Sequence, residues 1–407
     1  MLLASLVALL LGSLAVRVHV LGENPGSAFV GLGGNNSLVL SPPPNGHVMI
    51  DGANFRALLE TVETLRLEVA AFKQQVQQTL GDKWCAVVAD TKTITGLSAG
   101  SAKWDGGVLA GDGKIYGIPV LATSVLIIDP KTNTVDVTTI TGLSGGDGWR
   151  GGVLAGNGKI YGLPYNSLSV LIVDPATNTA DTTTITGLSG SAKWFGGVAV
   201  GGKIYGMPFY ALSVLIIDPN TNVADATRMA GLVGDSKWMG GVLAGNGKIY
   251  GIPHHSTLVL IIDPATNTTD TSTITGLSGN AKWCGGVLAS NGKIYGIPHD
   301  ASAVLIINPA DNTVDLTSIS GLGPTNNKWR GGVLANSGNI YGIPRNSGAV
   351  LVIDPVKTSA SLVSVLSGAD KWFEGALADN GKIYGIPYNS QSVLVIRSEC
   401  LLTEPPV

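Results

Sequence analysis

The chain has 407 residues, 44% of them apolar and 13% charged, with 56 glycines, 20 prolines and three cysteines. This content is enough for a large buried core, and so much glycine with so few helix-favouring charges points to strands and turns. A formal net charge of -3 excludes the clustered basic excess needed to follow a phosphate backbone, so nucleic acid is not an expected partner.

Met1 to Val16 form an unbroken apolar and small run ending Ser13-Leu14-Ala15, the small-x-small pattern of a signal-peptide cleavage site, so residues 1–15 read as a secretory signal. The alternative is an anchor running on through Val20, interrupted by Arg17 and His19; contact with a membrane is expected only if this segment stays uncleaved. Residues 16–53 form a Gly-, Asn- and Pro-rich linker or small hairpin, with apolar runs at Ser37 to Leu40 and His47 to Ile50. Asn35 and Asn267 open N-glycosylation acceptor patterns, as suits an exported glycoprotein.

Residues 54–81 carry Phe55, Leu58, Val62, Leu65, Val69, Phe72 and Val76 at heptad spacing, which predicts a short helix. It serves either as a coiled coil, making a homo-oligomer through residues 55–80, or as an amphipathic helix lying on a neighbour. In the first case avidity would rise without any new contact.

From residue 90 to 398 the chain repeats one unit seven times, each led by Trp104, Trp149, Trp194, Trp238, Trp283, Trp329 or Trp372. A period of 43 to 46 residues is that of a four-stranded propeller blade. The Trp and its Gly-Gly begin the innermost strand, where glycine lets strands crowd at the axis. Lys203 to Met207 exemplifies the second strand, Ser213 to Asp218 a third strand buried on both faces, and the Thr-rich run Thr182 to Leu188 an exposed outer strand. The seventh unit ends at Ile396 without an outer strand, while the orphan run Thr91 to Leu97 precedes the first Trp. The expected fold is therefore all-β: a seven-bladed β-propeller in which Thr91 to Leu97 closes the last blade beside Val393 to Ile396. Cys85 and Cys400 then leave the same end of that blade and are expected to form a disulfide locking the ring. Cys284, inside a blade, is expected as a packed small residue; residues 399–407 are a tail.

Asn246 to Tyr250 followed by Ile262 to Thr268 resembles the kelch-type repeat, and the Asp-Pro-Ala-Thr-Asn-Thr part also resembles repeats of secreted bacterial and archaeal surface propellers, over residues 91–396. The resemblance implies a binding platform more often than an enzyme, although fold alone does not decide function.

The two faces of the ring differ. One is near-invariant turn chemistry, including the recurrent Lys and Asp positions. The other varies from blade to blade. After Ile-Pro it carries Tyr165, Asn166, Phe209, Tyr210, His254, His255, His299, Asp300, Arg345 and Tyr388, and after Trp it carries Asp105, Arg150, Phe195, Met239, Cys284, Arg330 and Phe373. A face with free side chains is the expected ligand surface, and these residue types stack on sugars or anchor protein partners. Around the channel Asp105, Arg150, Arg330 and Glu374 make one side ionic; the other is apolar.

Asp105 and Glu374 are the candidate carboxylate pair for acid–base work or a hard cation, with mutual salt bridges to the arginines as the simpler account. The histidines of blades 4 and 5 read as loop polarity and the tryptophans as packing between blades, and no metal site is assigned. No phosphate-cradling loop, zinc signature or Ser-His-Asp constellation reaches motif strength, and no cofactor is expected. The leading expectation is a secreted or surface-attached binding propeller for a carbohydrate or protein. A hydrolytic enzyme acting through the channel is the alternative, and a structural repeat protein without small ligand is the third reading.

Overall fold

The computed structural model describes four short N-terminal strands, then residues 85–363 and 366–400, with side chains from 87 to 363 and 366 to 397. The signal-type segment, the heptad series 55–76 and the tail beyond Cys400 lie outside the described residues, as does Asn35. The chain divides into two units, Met1–Asp82 and Lys83–Val407. In the first, Val18–Leu21 pairs antiparallel with His47–Ile50, and Phe29–Leu32 with Leu38–Ser41. Both apolar runs noted in the sequence are thus strands, but neither pairs with the other.

The second unit is a seven-bladed β-propeller. Each blade is a four-stranded antiparallel sheet in chain order, as in Trp104–Leu109, Ile115–Pro119, Leu126–Asp129 and Thr134–Asp136 of blade 1. Each innermost strand packs beside that of the next blade, and that of blade 7 returns to blade 1, so the ring closes. Third strands such as Leu215–Asp218 are buried on both faces up to the terminal Asp, as a continuous apolar run requires.

Two assignments from the sequence are corrected. The outer strand is the short piece at Asn-Thr, Thr179–Asp181 in blade 2, and the Thr-rich run after it is a turn. Asp181 explains why: its Oδ1 accepts the backbone N–H of Thr183 at 2.6 Å and of Thr184 at 3.2 Å, taking both amides out of the ladder. Its alternation reflects Ile185, 3% exposed, tucked beneath the turn. For the same reason the strand closing blade 7 is Cys85–Asp90, and not Thr91 to Leu97. Asp90 turns the chain by accepting Lys92 and Thr93 N–H groups, and Ile94 and Leu97 become buried anchors. The closing strand pairs with Leu394–Cys400 in the register Val395↔Asp90 to Cys400↔Cys85, so the velcro closure itself stands.

The repeated residues are the clips between blades. Each blade-leading Trp is at most 3% exposed; Trp149, for example, packs with Val108, Tyr116 and Ile118 of blade 1 and donates its indole N–H to Ser169 O, just ahead of its own blade's third strand, at 2.8 Å. Asn157, Asn246, Asn291 and Asn380 each bond the Tyr four residues on and a Pro carbonyl of the following blade. A third clip went unread in the sequence although it is spelled before six of the seven blade-leading tryptophans: the Lys before Trp. Lys193, 3% exposed, donates to the carbonyls of Tyr165, Ser167 and Gly190, tying blade 3 to the loop of blade 2. Lys103, Lys237, Lys282, Lys328 and Lys371 are buried at equivalent places and also bond backbone carbonyls. Blade 2 has Gly148 there instead.

Candidate ligand face and axial cluster

The loops entering each Trp strand and the loops between second and third strands bond each other. Tyr165 N–H, for example, donates to Gly148 O, and Lys193 N–H to Tyr165 O. This places the variable residues of all seven blades on one face, as the sequence implied.

All seven residues following Trp are buried. Asp105 has no exposure, Cys284 none, and Arg150, Phe195, Met239, Arg330 and Phe373 lie between 1% and 8%. They divide as the sequence suggests. Asp105 Oδ2 accepts from Arg150 Nη1 at 3.1 Å and from Arg330 Nη2 at 2.7 Å, while Arg150 also holds Asp147 at 2.7 Å. Opposite them Phe195, Phe209, Met239 and Cys284 form an apolar cluster, with Tyr165 packed against it. Burial pushes the Cys284 thiol up to about 12, which suits packing and not nucleophilic chemistry. The ionic and apolar halves are joined by Arg330, whose guanidinium lies 3.9 Å from the Phe373 ring centre and 4.8 Å from that of Phe195.

The residues following Ile-Pro form an outer circuit. Phe373 stacks on Tyr388 with centroids 3.6 Å apart, Arg150 lies over both Tyr388 and Tyr165, and Tyr165 meets Phe195 and Phe209. Phe209 touches His254, and His254 meets His299 edge-on at 5.5 Å. Arg345 completes the circuit: its Nε binds Asp370 at 2.5 Å and its Nη1 reaches His299 Nε2 at 2.8 Å. A guanidinium only donates, so His299 keeps its proton on Nδ1, 3.0 Å from Asp300 Oδ1 but out of line for a hydrogen bond. Asp300 instead accepts Asn327 N–H, and Asn166 accepts Ala192 N–H. Burial, with neighbouring histidine and arginine charges, pushes His254 and His299 down to about 3, so both are neutral.

Two rings of this face stand proud. Tyr210 is 41% exposed and stacked on buried Phe209 at 5.2 Å; His255 is exposed and stacked on buried His254 at 4.8 Å. Leu121, Leu168 and Leu212 are exposed in loops of the same face. Among the described residues no three His, Cys, Asp or Glu side chains converge as a metal site. Asn267 occupies the left-handed position of a strand-connecting turn, φ 54, as do Asn133, Asn178, Asn222 and Asn312; asparagine tolerates that conformation, which accounts for the recurrent Asn-Thr.

Below the circuit, the first glycine after each Trp pair forms a ring on the axis. Gly106, Gly151, Gly196, Gly240, Gly285 and Gly331 all have φ between 69 and 83, and the seventh position is Glu374 at φ 59. A Cβ on Gly151 would stand 2.9 Å from the next glycine's Cα, so side chains are excluded by both conformation and space. A cavity of about 160 Å³ opens here, and Glu374 is its one side-chain-bearing residue among glycines.

No protein-family model matches the chain, and no curated protein does. Solved structures do. Virginiamycin B lyase from Staphylococcus aureus superposes at TM-score 0.62 and 9% identity, covering 78% of this chain and 100% of that one. The extracellular domain of BT4673 from Bacteroides thetaiotaomicron gives 0.57 at 11% identity, over 77% and 42%. An auxiliary nutrient binding protein from Bacteroides ovatus gives 0.51 at 12%, over 78% of each chain. The likeness is one of fold. At these identities a lyase and a binding protein share the propeller equally, and the kelch label stays a resemblance.

Proposed function

We propose that this propeller is a binding protein, exported or held at a cell surface, that takes a carbohydrate or protein ligand on its variable face. One observation carries the reading: Tyr210 and His255 are the most exposed rings of a face whose other rings are buried or half-buried, and each is backed by a stacked, buried partner. Rings held in this way offer contact area at little cost in side-chain freedom. Exposed Leu121, Leu168 and Leu212 extend that surface. An extracellular domain and a nutrient-binding protein among the fold relatives are compatible with this reading. The hydrolytic alternative has less behind it, because Asp105 is unexposed and held by two guanidinium groups, leaving Glu374 without a partner base.

The test is a glycan-array and pull-down screen of the exported protein, followed by Tyr210→Ala and His255→Ala on any ligand found. Binding should fall at least tenfold in each variant. Unchanged binding in both would remove this face as the site.

A further inference from the structure

The ring of left-handed residues on the axis has one exception, Glu374, whose backbone is strained by a side chain that its six counterparts lack. Such outliers persist where the surroundings hold them. The Glu374 carboxyl points back toward blade 1: its Oε2 is 3.1 Å from where a Cβ on Gly106 would stand, and Gly106 directly follows Asp105. Among the described residues Glu374, half-buried at the axial cavity, has no hydrogen-bond partner from the protein; Asp105 Oδ1, fully buried, lacks a donor, and Arg330 Nε, also buried, lacks an acceptor. Asp105 is thus short of one hydrogen, with the Glu374 carboxyl as its neighbour on the axis.

The charges agree. Arg150 and Arg330 carry two positive charges and Asp105 and Asp147, paired with them, carry two negative ones. The cluster is neutral before Glu374 is counted. An ionised Glu374 would add an uncompensated charge in a glycine-walled cavity next to Asp105, the arrangement in which two carboxyls hold one proton between them.

We propose that Glu374 and Asp105 form a proton-binding site on the propeller axis, in which Glu374 is the neutral acid that supplies the hydrogen missing at Asp105. The groups facing it are Asp105 and Arg330, with Cys284 nearby and neutral. Burial and the Asp105 charge both raise the Glu374 carboxyl, and Arg330 only partly opposes them. Loss of the proton would set two carboxylates against each other where blade 7, built from both ends of the propeller chain, meets blade 1. This site is separate from the exposed rings of the ligand face.

The test uses the full chain, Glu374→Gly and Glu374→Gln, with thermal unfolding from pH 5 to pH 8 and difference infrared spectra. Glycine is native at the six sister positions, so Glu374→Gly is expected to fold. The wild type should show the carbonyl stretch of a protonated carboxylic acid at pH 6, absent from both variants. The Tm gain of Glu374→Gly over wild type should grow between pH 5 and pH 8, because the folded wild type must then give up its proton. No such band, or a Tm difference independent of pH, overturns the proposal. So does saturable stabilisation by calcium that Glu374→Gly abolishes, since Glu374 would then be an ionised ligand.

Discussion

Asp105 of blade 1 and Arg330 of blade 6 meet at 2.7 Å although 225 positions separate them in the chain. With Arg150 this contact spans the axis and ties three blades that are not all neighbours. Removing the carboxylate leaves two buried guanidinium groups short of their shared partner, a loss that typically costs about 3 to 5 kcal/mol. Asp105→Ala should therefore lower stability by that amount in urea unfolding. A loss below about 1 kcal/mol would show that the arginines find other acceptors.

The lysine clips make a paired prediction. Lys282→Met removes the donor to the carbonyls of His254, Ser256 and Gly279 and should cost about 2 kcal/mol, the scale of a hydrogen bond to a charged group. A Cβ at Gly148 would make only ordinary contact, with Ser167 at 3.6 Å. Gly148→Lys should consequently stabilise the seam of blades 1 and 2, by roughly 0.5 to 1 kcal/mol. Thermal unfolding of both variants checks the sign.

The buried histidines set an acid limb. Their folded pKa of about 3 lies below the ordinary 6.5, so on acidification the unfolded chain takes up protons that the folded chain refuses. Stability is fully present above pH 6.5 and is lost as pH falls toward 3, by up to roughly 1.4 kcal/mol per pH unit for each histidine. In chemical unfolding at pH 6.5 and pH 5, the His254→Gln, His299→Gln double variant should show a flatter dependence. An unchanged slope would place the acid sensitivity elsewhere.

Cys85 and Cys400 are direct partners across the closing pair; their side chains lie outside the described residues. Cα atoms opposite each other in an antiparallel pair stand about 4.5 to 5.5 Å apart, within the range a disulfide spans. We predict the bond in protein made in an oxidising compartment. Denatured, unreduced protein should titrate one thiol, Cys284, instead of three. The Cys85→Ser, Cys400→Ser variant should lose on the order of 5 to 6 kcal/mol on the chain-entropy account.

Blade number, strand order and the face on which side chains vary were all legible in the sequence, because each rests on local periodicity repeated seven times. The outer strand was misplaced because Thr and Val runs have strand propensity, while a single Asp before them captures two amides and forces a turn. Lys-Trp was equally visible and went unread: a lysine beside an aromatic residue suggests a solvated charge, and only the neighbouring blade's carbonyls show that it is buried.

By itself the sequence determined the scaffold, since turn residues, strand periodicity and the small residues at the axis act over short stretches of chain. Which variable residues are spent on one another, and which reach solvent, was decided by ring closure alone. Closure brings Asp105 to Arg330 and Arg345 to His299, buries most of the predicted ligand set as mutual packing, and leaves Tyr210 and His255 standing outside it. Those contacts join residues from different blades, and no pattern within one repeat encodes them.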